Sequence, residues 1–210
     1  MRILAIDTTG QGCLVALRAP GQPDAVHCET MARGQAERLA PLVENILETV
    51  SLSPRDIDRI GVCTGPGSFA GSRIGVAFAR GLALAVGANC VGITRLAWDV
   101  ASAGADGDRI AVHDARRGDV VLQPFSAGQA TLEPATMSVE AARREFVRSW
   151  RPEQVLGSGA GLITGVADTI DIAAPDPGAL LDLTASAIAP FDPPKPFYAR
   201  PPDAKLPAGQ

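Results

Sequence analysis

Ile3-Leu4-Ala5-Ile6-Asp7-Thr8-Thr9-Gly10 opens the chain with a short apolar run that a polar, glycine-ended turn breaks. The pattern reads as a buried strand entering a hairpin. Cys13–Leu17 resumes as a second strand, Ala19-Pro20-Gly21 turns the chain, and Val26, Cys28 and Thr30 alternate as a third. A helix follows, because Ala36, Leu39, Ala40, Val43, Ile46, Leu47 and Val50 keep the i, i+3, i+4, i+7 spacing. Pro41 inside it marks a kink or its first turn. Ser53-Pro54-Arg55-Asp56 has the form of a capping box with proline in the first helical position. Ile60–Cys63 reads as a strand, Ser72–Val86 as a helix and Cys90–Ile93 as a strand. The order is β-β-β-α-β-α-β.

The second half begins the same way. Ile110–His113 is a strand ending in Asp114, Val120–Phe125 a second and Ala130–Leu132 a third. Val139–Trp150 has helical spacing, Gln154–Leu156 is a strand, and Ala179–Ile188 is again helical. The order β-β-β-α-β-α therefore occurs twice, and the first strand of each copy ends in an aspartate, Asp7 or Asp114. The expected fold is α/β: two ribonuclease-H-like lobes, as in the actin-like ATPase fold, with the second lobe reduced. Residues 1–103 form the first lobe, 104–192 the second, and 193–210 a proline-rich extended tail. Pro193-Pro194 and Pro201-Pro202 exclude helix and central strand from that tail.

A chain of 210 residues suits one compact domain or two small lobes. With 46% hydrophobic and 20% charged residues it can bury a core and is not disordered by composition. Its net charge of −4 advertises no basic face, so another chain is expected to supply the phosphate contacts if RNA is involved. The four cysteines form no C-x-x-C pair and read as small buried hydrophobes. The N-terminus has no charged n-region followed by an apolar h-region. The longest apolar run, Ile74–Val86, carries Arg80 and falls short of the roughly 18 residues of a membrane span. The expected location is the cytoplasm, with no membrane contact.

The richest motif is Gly65-Pro66-Gly67-Ser68-Phe69-Ala70-Gly71-Ser72-Arg73-Ile74-Gly75, between a strand and a helix. Such a loop either cradles an anion on backbone N–H groups or uses its glycines for close packing. It is no Walker A loop, because no Gly-Lys-Ser/Thr follows. Gly65, Gly67 and Ala70 match G-x-G-x-x-A, but Asn89-Cys90-Val91 offers no acid for a ribose. The helix that follows has small residues in two rows, Gly71, Gly75, Ala79, Ala83 and Ala77, Gly81, Ala85, with Arg73 and Arg80 its only charges. A helix apolar nearly all round is buried all round, either under the second lobe or against a partner subunit. The second alternative is the favoured one. It makes Leu39, Val43, Ile46, Arg73, Val76, Ala79, Arg80 and Ala83 the expected partner interface. Asp7 and Thr8 in the first turn, and Gly159 in Gly157-Ser158-Gly159-Ala160-Gly161, are the candidates for a nucleotide contact. No bound cofactor is expected. His27 and His113 have no ligand partner at metal spacing, and nothing in the sequence places a histidine near Ser68 or Ser158. No catalytic or metal-binding residue is therefore expected.

Four stretches resemble the TsaB (YeaZ) family over almost the full chain. They are MRILAIDTTGQGCLVAL at residues 1–17, GPGSFAGSRIG at 65–75, DARRGDV at 114–120 and PFYAR at 196–200. The second is similar to the family signature GPGSFTGxRIG, the third to D-A-R-x-x-E-V and the fourth to P-x-Y-L-R. Ala70 stands where the family has Thr, Ser72 where it has an aliphatic residue, and Gln35 where it often has His. The resemblance implies an actin-like ATPase fold that has lost its own catalysis. It implies a heterodimer with a TsaD-like protein, which transfers threonylcarbamoyl to adenosine-37 of ANN-decoding tRNAs, and a TsaE-like ATPase that joins the pair. It implies a homodimer through the corresponding helices when the chain is alone, and contact with tRNA only through the complex. The family is also grouped with M22 glycoproteases, but the H-x-x-x-H metal motif is missing. Two other readings compete: an ATP-dependent kinase of the sugar-kinase type, using Asp7 and the 157–161 loop, and an M22-type metalloprotease.

Overall fold

The computed structural model describes residues 1–104, 107–148, 152–163 and 168–199. The chain begins with β1 (Ile3–Asp7), β2 (Gly12–Arg18) and β3 (Ala25–Thr30), followed by α1 (Gln35–Thr49) and a 3-10 turn at Pro54–Asp56. Next come β4 (Arg59–Gly65), α2 (Phe69–Val86) and β5 (Asn89–Thr94), in a sheet of order β3-β2-β1-β4-β5. The β1–β2 and β2–β3 pairs are antiparallel, while β4 runs parallel to β1 and β5 parallel to β4. Both faces of this sheet are covered. Leu4 and Ile6 point with Val15, Ile60 and Val62 into a core closed by Leu39, Val43 and Ile46 of α1 and Val76, Ala79 and Ala83 of α2. Ile3 and Ala5 point the other way. A central strand buried on both faces has no polar side, which is why residues 3–6 read as an unbroken apolar run.

The second sheet repeats the plan. It follows α3 (Arg95–Ser102) and contains β6 (Asp108–Arg116), β7 (Asp119–Ser126), β8 (Gln129–Ala130) and β9 (Ala135–Ser138). Then come α4 (Val139–Arg148), β10 (Gln154–Leu156), a 3-10 turn at Ala160–Ile163, β11 (Asp168–Ile170) and α5 (Pro177–Ser186). The order is β11-β10-β6-β7-β8, with β9 also paired to β7. This is the first sheet's arrangement again, so the chain folds as two ribonuclease-H-like lobes of the actin-like kind. The reduction is visible where the first lobe spends 18 residues on α2, because the second lobe crosses between β10 and β11 through the short 3-10 turn.

Several expectations need correction. The expected second lobe includes the last helix, yet Ala179, Leu180 and Leu181 of α5 pack on Ile3, Ala5, Ala16, Cys63, Val91 and Ile93 of the first sheet. Thr184 of α5 occupies the space a side chain at Gly61 would need. Placing 104–192 in the second lobe thus separates α5 from the first-lobe sheet that it covers. The sequence pattern does not show the helix at 95–102 or the strands at 135–138 and 168–170. Cys28 is exposed and Cys90 half-buried, so only Cys13 and Cys63 are the buried hydrophobes expected of all four. The apolar helix does not fall short of 18 residues: Phe69–Val86 has that length and a mean hydropathy of 1.3. One face of it lies on β4, which is where a sheet-covering helix belongs. Residues 200–210 of the tail lie outside the described part.

Candidate functional site

The first hairpin turn and the glycine loop are built into each other. Thr9 donates from its backbone N (2.8 Å) and its hydroxyl (2.6 Å) to Oδ1 of Asp7. The Thr8 hydroxyl donates to the Gly71 carbonyl at 2.6 Å, and the Ser68 N–H donates to the Thr9 carbonyl at 2.8 Å. Asp7, Thr8 and Thr9 are all buried. The glycines make this approach possible. A Cβ at Gly67 would lie 2.6 Å from the Thr9 carbonyl oxygen, one at Gly75 would lie 2.5 Å from the Thr8 hydroxyl, and one at Gly71 would overlap the Thr8 carbonyl. The row Gly67, Gly71, Gly75 therefore faces this chain's own turn. The first turn of α2, with Ser68 as N-cap accepting from Gly71 N at 3.1 Å, is thus packed on the turn that follows Asp7.

Where the lobes meet there is a buried charged pair. Arg95 Nε donates to Asp99 Oδ1 at 2.7 Å, with Asp99 only 1% exposed, and the guanidinium also reaches the Ile172 carbonyl at 3.2 Å. Burial pushes the Asp99 carboxyl up to about 6, with Arg95 working against that rise. His113 Nδ1 lies 3.2 Å from the Ser158 hydroxyl, a proximity that the sequence did not suggest. Burial, reinforced by the Arg95 charge, pushes the imidazole down to about 4, so it is neutral at pH 7. The Asp114 carboxylate accepts from Arg116 N–H, and among the described residues no carboxylate is bonded to His113. Without that third member the contact is not a nucleophilic triad. Gly159 is pressed on β6, where a Cβ would lie 2.8 Å from Val112 Cγ1 and 3.0 Å from Asp114 N. Its glycine serves packing. Among the described residues no three His, Cys, Asp or Glu side chains converge to hold a metal.

The outer side of α2 is different. Phe69, Arg73, Ala77, Arg80, Gly81, Leu84 and Ala85 are exposed, Leu84 at 87% and Phe69 at 53%. An open groove of 410 Å³ runs between Arg73, Val76, Ala77 and Arg80 on one side and Pro196 of the tail on the other. Gly81 has nothing within 4 Å of its would-be Cβ. Alanine would be the better helix former there by about 1 kcal/mol, and no contact within this chain asks for glycine. The neighbouring α1 exposes Glu37, Glu44 and Glu48, an acidic set at i, i+7 and i+11.

Of the eight expected interface residues, only Arg73 and Arg80 lie on this surface. Leu39, Val43, Ile46, Val76, Ala79 and Ala83 are buried in the first lobe's own core, with Val76 reaching only the floor of the groove. On an almost wholly apolar helix the sheet-facing row and the outward row have similar compositions, so the sequence did not distinguish them. What did distinguish them was available in principle: the row containing both arginines has to be outside. Asp7 and Thr8 come together with the glycine loop, whereas Gly159 packs against β6.

The sequence profile of TsaD, described as tRNA N6-adenosine threonylcarbamoyltransferase, matches residues 22–154. The chain is 34% identical over 172 residues to the tRNA threonylcarbamoyladenosine biosynthesis protein TsaB of Escherichia coli, covering 79% of this chain and 72% of that protein. It is 33% identical over 134 residues to the TsaB of Bacillus subtilis, covering 63% of this chain and 58% of that one. A crystal structure from Pseudomonas aeruginosa, of an uncharacterized protein with similarity to peptidase YeaZ, superposes with a TM-score of 0.78. It covers 95% of this chain and 99% of that one at 24% identity, and it shows the same fold.

Proposed function

The chain belongs to the TsaB family, and from that premise we propose that it is the non-catalytic partner of a TsaD-like transferase. With a TsaE-like ATPase, the pair would place threonylcarbamoyl on adenosine-37 of ANN-decoding tRNAs in the cytoplasm. The observation that carries this reading is the outer face of α2. An exposed mid-helix glycine, flanked by Ala77 and Ala85 and ended by Phe69 and a fully projecting Leu84, has no purpose inside the folded chain. Small residues let a second backbone approach, and large apolar groups at the ends gain from being covered. Exposed acids on α1 and exposed arginines on α2 would give two copies opposite charges to pair, which fits a homodimer through the same helices when no partner is present. The Asp7 carboxylate is buried and already engaged by Thr9, which favours a partner subunit over a nucleotide enzyme. The sugar-kinase alternative needs that carboxylate free. A net charge of −4 supports contact with tRNA only through the assembled complex.

The test is to mix the purified chain with the tRNA N6-adenosine threonylcarbamoyltransferase of the same cell and measure mass by light scattering. A one-to-one complex that displaces the homodimer is expected, together with no ATP turnover by the chain alone. Two separate peaks at micromolar concentrations, or an ATPase activity that Asp7→Ala removes, would sink the reading.

A further inference from the structure

The last described residues meet the glycine loop in a way the subunit reading does not require. The tail passes Gly92, whose would-be Cβ lies 3.1 Å from Pro194 Cβ. The Phe197 N–H then donates to the Thr64 carbonyl at 2.8 Å, and the Phe197 side chain packs with Leu96, Val100 and Ala111 between the lobes. Gly65, at φ 99°, turns its α-carbon toward the Phe197 carbonyl, with 3.3 Å to a would-be Cβ. Phe197 is thereby anchored, and the next residue is delivered to one place. Tyr198 lies 5.1 Å from the Phe69 ring, centroid to centroid. The Arg73 guanidinium sits 3.8 Å over Phe69 and 5.4 Å from the centre of the Tyr198 ring. Its Nε donates to the Tyr198 hydroxyl at 2.8 Å.

This leaves the terminal N–H fork of Arg73 exposed at the mouth of the groove. Among the described residues no carboxylate pairs with Arg73 or with Arg80, and α2 itself has no acid. A guanidinium held flat by two rings and one hydrogen bond has already lost its rotamer freedom, so little more is lost when it binds. We propose, resting on the docking reading above, that Arg73 is the specificity-determining contact of the α2 face. It takes a carboxylate from a helix of the transferase, and Tyr198 is its positioning residue. Arg80, two helical turns away, takes a second acid about 10 Å along the same helix. The apolar lining of the groove, Val76, Ala77 and Pro196 between Phe69 and Leu84, favours a protein helix over an RNA phosphate run.

The experiment measures association of the full chain with the same transferase for Arg73→Ala, Arg73→Lys, Tyr198→Ala, Tyr198→Phe and the double Arg73→Ala/Tyr198→Ala. Each variant is first melted to confirm folding; Arg73→Lys and Tyr198→Phe change only surface groups. Arg73→Lys, which keeps charge but loses the fork, should bind roughly tenfold more weakly, mainly through faster dissociation. Tyr198→Ala should lose about as much and Tyr198→Phe less. The double variant should be no worse than Arg73→Ala alone, because Tyr198 acts through Arg73. A purely structural tail would give additive losses, and additive losses overturn the inference. Leu84→Glu separates the two claims. Association lost in Leu84→Glu but intact in Arg73→Ala overturns the arginine contact and leaves the docking face standing; association intact in both overturns both. Normal assembly of Arg73→Ala with weakened retention of tRNA by the complex would assign the fork to a phosphate and refute the proposal.

Discussion

Two glycines on one helix, ten residues apart, should respond in opposite ways to the same methyl group. At Gly71 a Cβ overlaps the Thr8 carbonyl and comes within 3.1 Å of Ser68 Cβ, so the start of α2 has to lift off the first hairpin. Lifting it breaks the buried Thr8 hydroxyl bond to the Gly71 carbonyl. Leaving such a pair unmade costs about 1–3 kcal/mol. Overpacking against backbone adds about 1–3 kcal/mol. The gain in helix propensity offsets about 1 kcal/mol. Gly71→Ala should therefore destabilise by about 1–5 kcal/mol, a fall in Tm of roughly 2–20 °C for a chain of this size. Gly81 has free space around it and helical backbone, so Gly81→Ala should stabilise the isolated chain by about 0.5–1 kcal/mol. Yet it should weaken association with the transferase if a second backbone lies there. Urea unfolding of both variants, with m-values compared, tests the first half, and titration calorimetry against the transferase tests the second. Equal stability changes at the two positions would refute the assignment of which face of α2 is internal. Unaltered association in Gly81→Ala would refute the reason given for that glycine.

The two buried titrating groups between the lobes oppose each other. The Asp99 carboxyl, raised to about 6 by burial, gives stability that is present below about 4 and is lost as pH rises to 6. His113, pushed down to about 4 by burial, gives stability present above about 6.5 and lost as pH falls to 4. Urea midpoints between pH 4 and 7 should thus fall with rising pH in His113→Gln and rise with it in Asp99→Asn; identical slopes in both variants would contradict the assignment. Cys28, exposed on the edge strand β3, should react with a thiol reagent in the native chain, while Cys63, fully buried and with its thiol raised well above the usual range by burial, should react only on unfolding. Mass spectrometry of the labelled native protein showing modified Cys63 would contradict this.

What could be read in advance follows from where information sits in a sequence. The doubled sheet was legible because a strand buried on both faces, Ile3–Ile6, announces itself without partners, and because the element order recurs after Asp114. The capping box at Ser53 was legible because it is local, and Ser53 and Asp56 are indeed bonded at 2.7 Å. The helix at 95–102 was not, because two turns give too few periodic positions; its Thr94 cap, accepting from Ala97 at 3.1 Å, was the one local sign. Close packing of the glycine loop is legible, but the neighbour that Gly71 and Gly75 meet is not, for a deeper reason. A glycine row states that something comes close, not what. Here it is Thr8 and Thr9, some 60 positions earlier in the chain. The meeting of His113 with Ser158 and of Arg73 with Tyr198 is likewise fixed by long-range topology, which spacing along the chain does not encode. The terminal P-F-Y stretch was visible as a family-like motif, but its seat on the glycine loop was not.

The proposed role of this chain in tRNA modification is docking through the outer face of α2. The most direct measurement depletes the chain in its native cell and quantifies threonylcarbamoyladenosine in purified ANN-decoding tRNAs by mass spectrometry. The modification should fall on depletion, return with the wild-type chain, and fail to return with Leu84→Glu, although that variant folds and accumulates normally. Full modification in depleted cells would contradict a role in the pathway, and full rescue by Leu84→Glu would contradict the docking face.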